Sequence, residues 1–214
     1  MQMSVVHNTA CGCLYKDDGQ LCSTVYLLPV VRPIISKMTP GSVLLDVGCG
    51  NGSFLSQFRD LGLSLHGIEM SSSGIMEARK AYPGIEITMG DLTTDLSAHP
   101  LTGKCDAVVS TEVVEHVFLP RMLVKNCSAF LKPGGRLIIS TPYHGYLKNL
   151  ALAVTGRMDS HFTALWDYGH IKFWSKRTLT RLLEEAGLEI DQFLSAGRVP
   201  YLWKSMVVLA SKPR

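Results

Sequence analysis

The residues of this chain that could do chemistry stand where apolar runs stop. The run SVLLDV (42–47) ends in Gly48-Cys49-Gly50-Asn51-Gly52. Glycines without a Cβ let the main chain turn sharply and approach a bound molecule closely. Glu69 closes the next apolar run, LSLHGIE (63–69), about 20 residues beyond Gly48, a distance at which a carboxylate reaches ribose hydroxyls. Together they point to a nucleoside-containing ligand. A second group, Glu112, Glu115 and His116, has spacings that would share one face of a helix. On that face His116 could act as general base toward a hydroxyl, or all three could hold a divalent metal that lowers the hydroxyl pKa. The plainer alternative is a capped helix start with solvated acids.

The glycine spacing narrows the nucleoside. A dinucleotide fingerprint asks for glycine or alanine at the end of GxGxxG, and this chain has Ser53 there, which places a nicotinamide dinucleotide second. Asp46, two residues before the first glycine, suits a ligand that is cationic or carries an amine and has no pyrophosphate. S-adenosylmethionine has both properties. Cys49 reads as a small neutral residue near the ligand and not as a nucleophile, because nothing nearby in sequence would lower its pKa.

These residues need elements to position them, and the chain supplies an alternation. Strands are expected at SVLLDV, LSLHGIE, IEITMG (85–90), CDAVVSTE (105–112) and GRLIISTP (135–142). Helices are expected at FLSQFRDLG (54–62), at SSSGIMEARKAY (71–82) with a serine cap, and at PRMLVKNCSAFL (120–131) with Pro120 at its start. Such alternation implies an α/β fold with a doubly wound, mostly parallel sheet, whose ligands sit beyond the carboxyl ends of the strands. After the helix SKRTLTRLLEEAGL (175–188), the runs LEIDQFL (188–194) and SMVVLAS (205–211) suit an antiparallel hairpin at a sheet edge.

Two stretches fall outside the alternation. Residues 1–40 form an N-terminal segment in which TVYLLPVVRPIISKM (24–38) reads as a helix near the mouth of the site; residues 41–214 form the main domain. Within it, about 143–174 reads as an inserted cap. Its Tyr143, His144, His161, Trp166 and His170 would offer aromatic surface and titratable groups to a flat aromatic acceptor. The stretch YLKNLALAVTG (146–156) reads as a buried lid helix, with a shallow membrane-surface contact as the alternative.

The order DVGCGNG, Glu69, Gly90-Asp91-Leu92, STEVVEHV and LKPGGRLIISTP resembles the motif set of class I S-adenosylmethionine-dependent methyltransferases across about residues 40–140. The resemblance implies a Rossmann-like sheet of seven strands with the last antiparallel. It implies that Asp46, Gly48, Cys49 and Gly50 line the methionine end of the cofactor. Glu69 would bind the ribose, Met70 would flank the adenine, Asp91 and Leu92 would hold its edge, and Thr111 would face the cofactor. The EVVEH segment and the late GH-x-KF segment are similar, more loosely, to the ubiquinone-pathway 3-O-methyltransferases. That subgroup implies transfer of a methyl group to a catechol- or quinol-type hydroxyl, and a lipid acceptor would favour peripheral membrane contact. Methylation of a nitrogen, an NAD-linked oxidoreductase and a non-enzymatic cofactor-binding module are the rival readings.

Composition argues against several classes, nucleic-acid binding among them, without excluding a nucleic-acid methyltransferase. The 214 residues suit one sizeable domain, and the chain is 46% hydrophobic and 18% charged, below the usual charged fraction of about 25%, which excludes disorder. A net charge of +3 and a pI near 8.5 fall short of a nucleic-acid footprint. No apolar run approaches the roughly 18–20 residues of a membrane span, and the N-terminus does not read as a signal peptide, so a cytoplasmic protein is expected. Cys49, Cys105 and Cys127 read as reduced core thiols. Cys11, Cys13 and Cys22 with His7 lack the paired spacing of a structural zinc site. The sequence assigns no oligomeric state.

Overall fold

The computed structural model describes residues 23–162, 164–198 and 202–214. The segment holding His7, Cys11, Cys13 and Cys22 lies outside these residues. The chain folds in the order α1 (Thr24–Ile35), β1 (Val43–Val47), a 3-10 helix (Leu55–Leu61), β2 (Ser64–Glu69), α2 (Ser72–Ala81), β3 (Glu86–Met89) and β4 (Cys105–Thr111). There follow α3 (Pro120–Phe130), β5 (Leu131–Pro142), α4 (Tyr146–Val154), α5 (Met158–Phe162), α6 (Lys176–Glu185), β6 (Glu189–Ala196) and β7 (Ser205–Ser211).

Every expected strand forms. They join in one seven-stranded sheet of order β3-β2-β1-β4-β5-β7-β6. β1 to β5 pair in parallel, and β7 runs antiparallel to both β5 and β6. The final hairpin therefore closes one edge with β6 outermost. The chain winds outward from β1 to β3 and then returns to β4 beside β1, which puts the switch point where Val47 and Thr111 end their strands.

The central strands read as near-continuous apolar runs because both faces are covered. Leu45, Val108, Leu137, Ile139 and Val208 face α3 and α6 with Leu123, Phe130 and Leu179. Leu44, Val109, Ile138 and Val207 face α1 and the 3-10 helix with Leu27, Val31, Phe54 and Phe58. Ser71 caps α2 by accepting from the Gly74 N–H, and Pro120 opens α3. Cys49, Cys105 and Cys127 are buried free thiols.

Two expectations about helices are corrected. The segment after the glycine loop is a 3-10 helix and not an α-helix. The Ser53 carbonyl, which an α-helix would offer to the Gln57 main chain, instead accepts from the Ser56 hydroxyl at 2.8 Å and from Gln57 Nε2 at 3.1 Å. The helix α4 is not a buried lid: Tyr146 and Val154 are each 79% exposed, Leu147 and Leu150 are also exposed, and the one buried residue is Lys148. Lys148 turns inward because its ammonium donates to the Tyr143 and Trp203 carbonyls at 2.8 and 3.2 Å. Among the described residues no helix is long and apolar enough to cross a membrane.

Candidate active site

The parallel strands deliver Val47, Glu69, Met89, Thr111 and Pro142 to one end of the sheet, and β7 starts there with Ser205 paired to Pro142. The glycine loop crosses from β1 to β2, with the N–H groups of Gly48 and Cys49 donating to the Ile68 carbonyl. Gly48 has φ +82°, and a Cβ there would stand 2.6 Å from Val113 Cγ2. Cys49 packs in the space that Gly67 leaves, and burial pushes its thiol well up, so it is no nucleophile.

Glu69 is buried and organises the loop. Its Oε2 accepts from the Gly50 N–H at 2.8 Å, and its Oε1 accepts from the Met70 and Ser71 N–H groups at 3.0 and 2.8 Å. A carboxylate has about four lone-pair sites, so capacity for another donor remains. Asp46 is 1% exposed, and its Oδ1 has no hydrogen-bond partner among the described residues. Burial, with Glu69 adding repulsion, pushes its carboxyl up to about 8. Met70 is partly exposed beside Glu69. Asp91 is exposed at the end of β3 and accepts from the Thr93 N–H and hydroxyl, while Leu92 is buried in the core. Thr111 closes β4 opposite Ser140.

Glu112, Glu115 and His116 do not share a helix face, because residues 112–117 form a turn and α3 begins only at Pro120. Glu112 has φ +56°, and its main-chain N–H donates to Ser140. Its carboxylate accepts from the Ser140 hydroxyl at 2.7 Å and the Ser205 hydroxyl at 3.0 Å, and Tyr26 of α1 also reaches it. Burial raises its pKa to about 7. It is thus a tie between β4, β5, β7 and α1. The metal set Glu112, Glu115 and His116 is not assembled. Glu115 is 1% exposed with both oxygens lacking a hydrogen-bond partner among the described residues, and burial beside Glu112 pushes its pKa well up. His170 Nε2 lies 4.0 Å from Glu115 Oε1, and ligand atoms of Glu115, His116 and His170 all fall within 4.8 Å of one another.

The segment between β5 and α6 brings the expected histidines together in two groups. The rings of Trp166 and His170 pack on His116 with centroids 5.9 and 4.8 Å away. His144 is nearly buried among His161, Phe162 and Phe173, with its Nδ1 unpartnered among the described residues. Burial lowers the pKa of both His144 and His170 to about 4. Tyr143 stands apart, edge-on to Trp203.

The chain that forms this sheet and glycine loop matches a family model described as "Methyltransferase domain" over residues 26–192. The chain belongs to the methyltransferase domain family. The domain is 28% identical over 154 residues to a ubiquinone biosynthesis O-methyltransferase of Burkholderia pseudomallei, covering 71% of this chain and 66% of that protein. This chain therefore spans just under two thirds of that relative. It is 32% identical over 156 residues to the protein of the same name from Pseudomonas paraeruginosa, covering 72% of this chain and 67% of that one. Its fold is similar to the crystal structure of magnesium protoporphyrin IX methyltransferase from Synechocystis with bound S-adenosylhomocysteine. The TM-score is 0.65 at 18% identity, over 86% of this chain and 80% of that one.

The residues at this end of the sheet suit the S-adenosylmethionine that the sequence resemblance implies. Asp46 offers a buried carboxyl whose Oδ1 has no partner among the described residues and which a cationic amino group would satisfy, and Glu69 retains acceptor capacity for a ribose hydroxyl. The methyltransferase loses stability by burying Asp46, which gives a prediction. The folded-state pKa of about 8 exceeds the ordinary 3.8, so the unfolded chain sheds this proton first and the cost grows as pH rises between the two values. Asp46→Asn should raise the melting temperature of the ligand-free protein, most at pH 8 and not at all below the ordinary carboxyl pKa. The same variant should bind S-adenosylhomocysteine more weakly. Unchanged melting at pH 8 would show that the carboxylate is solvated.

Sequence reasoning missed Tyr26, Ser140 and Ser205 as partners of Glu112. Serines at the ends of the apolar runs GRLIISTP and SMVVLAS were the available signal, but only the antiparallel register of β7 brings Ser205 to the same end as Ser140.

Proposed function

We propose that this chain transfers the methyl group of S-adenosylmethionine to a hydroxyl oxygen of a small aromatic acceptor, with His116 as general base. The observation that carries the reading is the state of His116. Its Nδ1 lies 3.1 Å from the Tyr168 carbonyl, an acceptor that favours the proton on that nitrogen and the lone pair on Nε2, in a niche walled by Trp166 and His170. The similarity to ubiquinone biosynthesis O-methyltransferases supports an oxygen acceptor of catechol or quinol type.

When bound, S-adenosylmethionine supplies an electrophilic sulfonium methyl group. Asp46 and the loop Gly48–Gly50 would hold its methionine end, Glu69 its ribose, and Met70, Asp91 and Leu92 its adenine, with Thr111 at the floor. The acceptor would lie between this end of the sheet and the cap, against His144, His161, Trp166, His170 and Tyr143. In this reading the segment before β1 and the insertion 143–174 form the acceptor side. Holding the acceptor near attack distance can be worth about 7–11 kcal/mol, and removal of its proton by His116 adds to that. An acceptor with a lipid tail would meet the exposed Tyr146, Leu147, Leu150 and Val154 of α4 at a membrane surface reached from the cytoplasm.

Burial holds the His116 pKa below its ordinary 6.5, against the opposing pull of the Tyr168 and Gly169 main chain. The base must be neutral, so kcat should fall on the acid side with a midpoint below 6.5 and run flat through neutral pH. A midpoint well above 6.5 would contradict the assignment.

The convergence of Glu115, His116 and His170 favours a second reading, in which a divalent ion takes these groups and polarises the acceptor hydroxyl. Assays of chelator-treated protein with and without added magnesium separate the two. Full turnover after chelation supports the base; turnover restored only by the metal supports the ion. NADH binding in place of S-adenosylhomocysteine would support an oxidoreductase, label on nitrogen an N-methyltransferase, and binding without any turnover a non-enzymatic module.

A further inference from the structure

The turn Trp166–Lys172 grips the loop that carries His116 from two directions. Ile171 and Lys172 donate their main-chain N–H groups to the Glu115 carbonyl at 3.0 and 3.1 Å, while the Tyr168 carbonyl meets His116 Nδ1. The turn is built to present that carbonyl. Tyr168 has φ +59°, in the left-handed region that non-glycine residues seldom adopt, and the Gly169 N–H returns to the Trp166 carbonyl at 3.0 Å. A Cβ on Gly169 would stand 2.8 Å from the Trp166 carbonyl oxygen and 3.0 Å from its ring. Backbone strain of this kind concentrates where geometry serves a function.

We propose that this turn is a positioning element for methyl transfer: the main-chain carbonyl of Tyr168 fixes His116 in its Nδ1-protonated tautomer and makes it competent as a base only while the turn is docked. The proposal rests on the reading of His116 as general base. A carbonyl oxygen only accepts, so it selects one tautomer, and in that tautomer Nε2 is free to take the acceptor's proton. The role belongs to the backbone. A residue at 168 that keeps the left-handed conformation should therefore keep the tautomer, and a side chain at 169 would displace the turn.

The test compares Tyr168→Asn, which tolerates the left-handed conformation, with Gly169→Val, which cannot fit, and with Gly169→Ala as a milder form should the valine variant fail to fold. Nitrogen NMR of isotope-labelled histidine rings reads the tautomer directly, with the His116 signal assigned by its loss in His116→Ala. Wild type and Tyr168→Asn should show the Nδ1–H form, and the Gly169 variants should lose it. In kinetics the Gly169 variants should lower kcat by about 10- to 100-fold with the KM for the donor unchanged. In a His116→Ala background the Gly169 substitutions should cause no further loss. An Nε2–H tautomer in the wild type would overturn the proposal, as would a Tyr168→Asn variant as slow as Gly169→Val. If His116→Ala alone keeps full turnover, the general-base reading falls and the catalytic role of the turn with it, whereas the NMR still reports whether the turn sets the tautomer.

Discussion

Replacing His116 with alanine is expected to lower kcat by about 10²- to 10⁴-fold, the usual contribution of a positioned general base, while S-adenosylhomocysteine binds as before. The split follows from where the residue sits. His116 stands on the turn after β4, against Trp166, His170 and the Tyr168 carbonyl, whereas the glycine loop and Glu69 form a separate group built on β1 and β2. Its ring is partly buried but lies outside the two hydrophobic clusters of the core, so the variant should fold. His116→Gln retains a polar side chain without basicity and should be nearly as slow as alanine. Steady-state kinetics at saturating donor and acceptor, with calorimetry of S-adenosylhomocysteine, checks both halves. Unchanged turnover would remove His116 from the mechanism, and an equal loss of cofactor affinity would make it part of the donor pocket.

Removing Glu69 should act on the other side of the site. Glu69→Ala deletes the acceptor for the N–H groups of Gly50, Met70 and Ser71, and the Gly50 N–H lies in a buried place. Hydrogen bonds to a charged group are worth about 1.5–3 kcal/mol each, so the glycine loop should lose its set conformation together with the ribose contact. The expected result is S-adenosylhomocysteine binding weaker by at least about 100-fold, which corresponds to roughly 2.8 kcal/mol. Glu69→Gln keeps one acceptor oxygen and should fall between. Calorimetry showing wild-type affinity in the alanine variant would mean that the loop holds its shape without the carboxylate and that the donor lies elsewhere.

The parts of this molecule that could be read from its sequence are those in which local pattern and tertiary position agree. The strand ending at Val47, the glycines after it and Glu69 at the end of the next strand needed only periodicity and the rule that ligands gather at carboxyl ends. The final hairpin was readable for the same reason. What was not readable depends on contacts distant in sequence. Glu112 carries a spacing that suggests a shared helix face, yet Ser140 and Ser205 draw its carboxylate away and leave the segment a turn. The 3-10 helix at Leu55–Leu61 keeps an amphipathic pattern, but Ser56 and Gln57 take the carbonyl that would have extended an α-helix. The apolar face of α4 promised burial, and the buried position went instead to Lys148, because two carbonyls, from Tyr143 just after β5 and from Trp203 before β7, were waiting for a donor. Among the histidines, their crowding in one stretch was visible, but their division between His116 and His144 was not, since it follows from how the cap lies over the β4 turn.

The most direct test follows the methyl group itself. Purified protein would be incubated with S-adenosylmethionine carrying a deuterated methyl group and with a panel of catechol and quinol acceptors, beside His116→Ala, and the products identified by mass spectrometry. A labelled O-methyl ether formed by the wild type and nearly lost in the variant is the predicted result. Tight S-adenosylhomocysteine binding with no labelled ether from any acceptor, or label found on nitrogen, would contradict it.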